Sequence, residues 1–181
     1  PLSELFDSEE EAREHYGILK NILDGMTKKK REFYPCIFPW YGVALSRTQI
    51  IKRMCVIAYA LKDEACMEEM AEKLPLLDTS EGYASRGLWV ELLLHSPSNE
   101  RQKNLLIRYI ADKESSAREK AFQIADKLTL SAADYEQLEG FLKYKSGDIR
   151  RNVLKLLEKQ PDDLLIPSVK RLLGSSQEEI R

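Results

Sequence analysis

At 181 residues the chain is long enough for one sizeable domain or a short array of repeats. Eight Gly and seven Pro are too few for the turn-rich all-β classes, and a net charge of −2 with a pI near 5.9 gives no global field to attract a phosphate backbone. Leu, Glu, Lys and Ala dominate, all strong helix formers, so the composition predicts an all-α protein.

The first element is expected over residues 8–26. Ser8 followed by Glu11 has the form of a capping box. Ala12, Tyr16, Leu19, Leu23 and Met26 then recur at steps of three and four, which places them on one helical face. Lys28-Lys29-Lys30-Arg31 follows, and then the run from Phe33 to Tyr41. Five of the fifteen aromatics of the chain fall in those nine residues, while Pro35 and Pro39 exclude a regular helix. Residues 1–45 are expected to seal the open end of a helical array or to present an aromatic knob, with Phe38 and Trp40 as candidate partner contacts. Cations beside exposed aromatics are also the make-up of a platform for single-stranded nucleic acid.

From residue 46 the sequence repeats. Arg53, Arg86, Arg118, Arg150 and Arg181 are spaced by 33, 32, 32 and 31 residues. Three positions after each interior Arg comes an apolar residue (Val56, Trp89, Ala121, Val153), and seven positions after it another (Ala60, Leu93, Ala125, Leu157). A second apolar set follows each of the last three interior Arg: Leu106–Tyr109–Ile110, Leu138–Phe141–Leu142 and Val169–Leu172–Leu173. Each unit is therefore expected to be two amphipathic helices that bury their apolar faces only by stacking on the next pair. The units run 46–80, 81–112, 113–145 and 146–175, and another starts at 176–181. Ser46 with Gln49, Ser116 with Glu119, Ser131 with Asp134 and Ser176 with Glu179 are expected helix caps. Pro97 and Pro161 precede second helices, and Gly82, Gly147 and Gly174 mark breaks.

The stretch Asp148-Ile149-Arg150-Arg151-Asn152-Val153, with Leu156-Leu157 and Leu172-Leu173 after it, resembles a HEAT repeat; the short period is similar to the HEAT-like repeats of phycobilisome lyases. That resemblance covers about residues 46–181 and implies a right-handed α-α superhelix, armadillo-like in architecture, of about four helix pairs with an N-terminal capping helix. It also implies that an Asp and an Arg at the start of each first helix tie neighbouring units into a ladder, here through Arg53, Arg86, Arg118, Asp148 and Arg150. Ser116 and Ala84 stand where the acid belongs in two copies, so the ladder is expected to be incomplete.

Searched for chemistry, the sequence offers little. His15 and His95 are eighty residues apart, and Cys36, Cys55 and Cys66 are an odd set without CxxC spacing. These features predict no metal, no cofactor and a reducing, cytoplasmic setting. No apolar run approaches the ~20 residues that span a bilayer, and there is no GK[ST] phosphate loop. HEAT-like repeats also form alkylpurine DNA glycosylases, but no motif of that family can be matched residue by residue, and Trp89 falls in a core column. Pro1 in place of Met, and a helix beginning at Glu178–Arg181, are expected of a piece of a longer protein. The function expected is non-catalytic: a scaffold module that binds a protein or peptide through its second helices, with nucleic-acid binding as the alternative and no membrane contact. The candidate contacts on those helices, expected to be exposed, are Lys103, Arg108, Gln137, Glu139, Lys143, Lys170 and Arg171.

Overall fold

The computed structural model describes residues 4–26, 32–33, 36–38, 41–78, 80 and 85–174, with backbone alone for 36–38 and 41. Trp40, Gly82, the Lys28–Arg31 run and the Ser176 cap therefore lie outside the described residues. Among those described, nine α-helices carry the fold and the strands are two or three residues long. The chain divides into two compact units, Pro1–Leu93 and Leu94–Arg181.

In the first unit, α1 (Glu9–Asp24) starts at Ser8, whose side chain accepts the Glu11 amide. The Glu11 carboxylate accepts from the Asp7 amide, one residue before the cap, so the reciprocal bond of the expected box is displaced. Short strands occupy part of the aromatic segment. β1 (Glu32–Phe33) pairs antiparallel with β4 (Leu45–Ser46), and β2 (Cys36–Phe38) pairs with β3 (Tyr41–Gly42). This adds a small β element to the all-α expectation. Ser46 ends β4 and at once caps α2 (Arg47–Leu61), where both bonds of a capping box with Gln49 are made. Lys62 then turns the chain at φ 53, in the left-handed region.

Helix α3 (Glu64–Lys73) is capped by Asp63. It runs parallel to α1, and polar pairs fix the alignment: Arg13–Asp63 at 2.7 Å, Lys20–Glu69 at 2.7 Å and Lys73–Asp24 at 3.6 Å. The Tyr16 hydroxyl donates to Glu69 in the same seam. Helix α2 packs against both α1 and α3. Ile50, Ile51, Met54 and Cys55 on α2, with Met70 and Leu74, are fully buried; each large side chain removed from water in this way contributes about 1.5–3 kcal/mol. Helix α4 (Arg86–Leu94) is apolar almost throughout, and Trp89, Val90 and Leu93 are buried.

The second unit has a regular plan. Helix α5 (Glu100–Tyr109), capped by Asn99, packs on α6 (Ser115–Ala125). Helix α7 (Ala132–Glu139), continued by a 3-10 turn over Gly140–Lys143, packs on α8 (Gly147–Leu157), and α9 (Asp162–Leu173) closes the described part. Beyond these sequential contacts, α5 touches α7, α7 touches α9, and α6 touches α8. First helices thus lie against first helices and second against second, in two layers. The core between them includes Ala117, Ala121, Ala125, Ile149, Val153 and Leu157, members of the repeated apolar columns.

Of the expected caps and core positions, three need correction and one, at Ser131, is formed in full. Helix α6 begins at Ser115 with Glu114 at its cap position, so Ser116 lies inside the first turn; its hydroxyl donates to the Glu114 carboxylate instead. Ser131 with Asp134 forms a complete capping box, because Asp reaches the cap amide as Glu would. Val56 is exposed rather than in the core, since α2 buries its opposite face. Val169 and Leu173 are exposed as well, because among the described residues no further helix follows to cover α9.

Candidate partner-binding surface

The repeated arginines do different work in different copies. In α6, Arg118 Nη1 donates to the Asp112 and Lys113 carbonyls at 3.0 and 2.9 Å, and Nη2 reaches Asp148 at the start of α8. In α8, Arg150 Nε donates to the Leu142 and Tyr144 carbonyls at 3.1 and 2.8 Å. Both arginines therefore reach back six residues, to Asp112 and Tyr144: Arg118 ties down the loop between α5 and α6, and Arg150 holds the end of the 3-10 turn. Last-turn carbonyls lack intrahelical partners, and a cation satisfies both the hydrogen bonds and the negative end of the dipole. The Ser146 hydroxyl and Arg118 together hold the Asp148 carboxyl down at about 2. Arg86 is buried in α4. Arg53 makes no hydrogen bond or ion pair among the described residues, and the position one period on, Ala84, lies outside them.

Polar ties also run through both layers, the first helices and the second. Lys103 Nζ sits 2.7 Å from Glu100 and 3.9 Å from Asp134 on α7. Arg171 on α9 forks onto Glu139 of α7 and lies 3.5 Å from Glu136. Lys159 pairs with Asp126. Arg118–Asp148, Lys103–Asp134, Glu139–Arg171 and Asp126–Lys159 join residues 30, 31, 32 and 33 apart. Each spans one sequence period, so the same spacing that orders the apolar columns also orders the charges. An acid–base search at 30–33 residues would have found these pairs, whereas a reading of the apolar columns passes over them.

This sorts the seven predicted contacts. Glu139 is buried, against expectation: α9 covers it and Arg171 neutralises it. Burial alone would push its carboxyl up, but hydrogen bonds from Arg171 and Ser168 reverse the sign and hold it below its ordinary value. Lys103 is mostly buried and its ammonium is engaged. Arg171 is tied to Glu139 but keeps one side in solvent. Gln137 is half-buried, while Arg108, Lys143 and Lys170 are exposed. The Lys143 ammonium lies 5.8 Å from the Tyr144 ring centroid. Phe38 contributes only backbone to β2, and Trp40 is outside the described residues. The exposed remainder of the predicted set is therefore Arg108, Lys143 and Lys170, with Tyr144 beside Lys143.

The first unit carries a concave feature that the sequence reading missed. A groove with a cavity volume of about 520 Å³ lies along α1 and α2, with Trp89 among its walls. Leu5 and Phe6 line it ahead of α1, and Phe6 stacks tilted on His15 with ring centroids 5.3 Å apart. Ile18 and Val56 are both exposed there. Elsewhere in this unit Cys55 is buried and its thiol pushed up to about 12, which makes it a core residue and no nucleophile.

Among the described residues no three His, Cys, Asp or Glu side chains gather as a metal site, and no helix is long and apolar enough to cross a membrane. Fold and surface together define a mostly helical protein whose second unit is built from period-spaced helix pairs tied by charge. The chain belongs to a family of unknown function, DUF5724, whose model matches residues 2–181. No curated protein and no solved structure matches it.

Proposed function

We propose that this chain is a HEAT-like solenoid that serves as a non-catalytic scaffold in the cytoplasm and binds a protein or peptide along its second helices. The observation that carries the reading is the set of four ion pairs one period apart, combined with the α5–α7–α9 and α6–α8 layering. Units that contact their neighbours through the same columns generate an extended surface by repetition, and such surfaces are used for recognition. Glu139 and Lys103 are taken up in holding that layer together, which leaves Arg108, Lys143, Lys170 and Tyr144 for a partner. Three cations and one aromatic, on a chain of net negative charge, suit an acidic peptide better than a long polyanion.

The test is capture from source-cell lysate on the immobilised chain, with the eluate assayed for protein and for nucleic acid. Enriched proteins that survive nuclease and are lost with Arg108→Glu/Lys170→Glu support the scaffold reading. Nucleic acid that elutes steeply with moderate salt replaces it by the nucleic-acid alternative, because phosphate contacts release counterions. Deleting residues 148–181 tests the solenoid itself. A shorter array that keeps its helicity is expected, and complete loss of helicity means a cooperative bundle.

A further inference from the structure

We infer that the groove along α1 and α2 is a docking site for an amphipathic helix of a partner protein whose apolar face is flanked by acidic residues. This surface lies in the first unit and is separate from the second-helix layer.

Three observations carry the inference. The first is the lining. Ile18 and Leu19 from α1 and Val56 and Ile57 from α2 face the same cavity of about 520 Å³, with Trp89 at its wall. Ile18 is 50% exposed and Val56 37%, although α1 and α2 each have another face that is buried. Apolar side chains gathered in one open concavity mark a binding surface rather than scattered surface residues.

The second observation is charge. The ionisable side chains that line the groove are His15, Lys52 and Arg53, all of them basic residues, with Lys52 already engaged by a partner. Arg53 is exposed and makes no hydrogen bond or ion pair among the described residues, in contrast to Arg118 and Arg150 at the matching positions of the second unit. An acidic flank on the occupant would meet this rim, whereas a basic flank would be repelled by it.

The third is shape. Apart from Leu5 and Phe6, the walls are helix surfaces whose backbone groups are spent within the helices, so no strand edge is offered for an extended peptide to extend. A helix lying between two others packs ridges into grooves and places residues at i, i+3, i+4 and i+7 along the apolar floor. The Trp89 indole N–H is buried and has no hydrogen-bond partner among the described residues, so it is the apolar face of the ring that the groove offers.

The test uses the 181-residue chain and fluorescently labelled model helices of roughly 18 residues, long enough to hold a helical face. One carries Leu at i, i+3, i+4 and i+7 flanked by Glu, and the other has the same Leu positions flanked by Lys. Anisotropy titration is expected to show saturable binding of the Glu-flanked helix and at least about tenfold weaker binding of the Lys-flanked one. Ile18→Asp and Val56→Asp should each weaken the Glu-flanked helix about tenfold or more. Both positions are exposed, and an unchanged circular-dichroism melt confirms that each variant folds. Arg53→Glu should narrow or reverse the preference between the two helices, and Leu154→Asp, at an exposed apolar position on α8, should leave it unchanged. Failure of both helices to bind, equal binding of the two, or binding indifferent to Ile18→Asp and Val56→Asp overturns the proposal. Concentration-dependent dimerisation of the chain abolished by Ile18→Asp, or sedimentation with anionic-lipid vesicles abolished by the same variant, also overturns it by giving the groove another occupant.

Discussion

Arg171 on α9 grips Glu139 on α7 with two parallel hydrogen bonds, Nε to Oε2 at 2.9 Å and Nη2 to Oε1 at 2.7 Å. The carboxylate is buried and the guanidinium is half in solvent, so the pair joins the interior of one helix pair to the rim of the next. A planar fork facing a planar carboxylate is the geometry in which Arg outperforms Lys.

Arg171→Ala is expected to cost about 1–2 kcal/mol in urea unfolding, discounted for the exposure of the guanidinium, because it strands the Glu139 carboxylate. Glu139→Gln made in the Arg171→Ala background should recover part of that loss, since a neutral amide is cheaper to bury. Additive losses in the double variant would mean that the pair is not coupled.

Arg118→Lys tests the carbonyl clamp. The guanidinium serves the Asp112 and Lys113 carbonyls and Asp148 at once, which a single ammonium cannot match in geometry. A loss of about 1–3 kcal/mol is expected, together with faster amide exchange at the end of α5. Unaltered exchange there would show that the carbonyl bonds are dispensable.

Leu157 and Leu154 lie three residues apart on α8, one buried and the other 48% exposed. Leu157→Asp should abolish cooperative unfolding of the second unit, at a cost of roughly 3 kcal/mol or more. Leu154→Asp should stay within about 0.5 kcal/mol of the parent. Similar thermal melts for the two variants would overturn the assignment of the buried face.

Asp148 sets a pH dependence with a definite sign. Its carboxyl is held at about 2, below the ordinary value, by Ser146 and Arg118, so in acid the unfolded chain takes up the proton before the folded one does. The contribution is full above the ordinary carboxylate range and disappears as the pH falls toward 2. The stability gap between the parent and Asp148→Asn should therefore be widest near neutrality and close over that interval. Ser146→Ala should move the carboxyl titration, followed by carbon NMR, toward the ordinary value.

The helices were legible because period, caps and apolar columns agree locally: Ala12, Tyr16 and Leu23 in α1, and Val153 with Leu157 in α8, are buried where the spacing puts them. The strands were not, since β1–β4 and β2–β3 are pairs of two or three residues whose partners sit up to fourteen positions apart, too short for any alternation to register. Val56 was misplaced for a related reason. Helix α2 is apolar on more than one face, and periodicity alone cannot say which face a neighbouring helix covers. Among the candidate contacts, Glu139 looked like any acid on a second helix. Only the partner 32 residues on shows that it is interior. The groove was invisible because it combines Leu5, Ile18, Val56 and Trp89, which come from four separate stretches of chain.

Ser46 belongs to two elements at once, the last residue of β4 and the cap of α2. Its φ of −71 and ψ of 157 satisfy both roles, so no residue is left over between strand and helix to act as a swivel. The hairpin and α2 therefore share one frame of reference: a shift in the Glu32–Ser46 register would displace the Gln49 amide as well. A force applied at β4 would reach the first turn of α2 with no intervening residue to absorb it, as a push on a crank reaches its shaft.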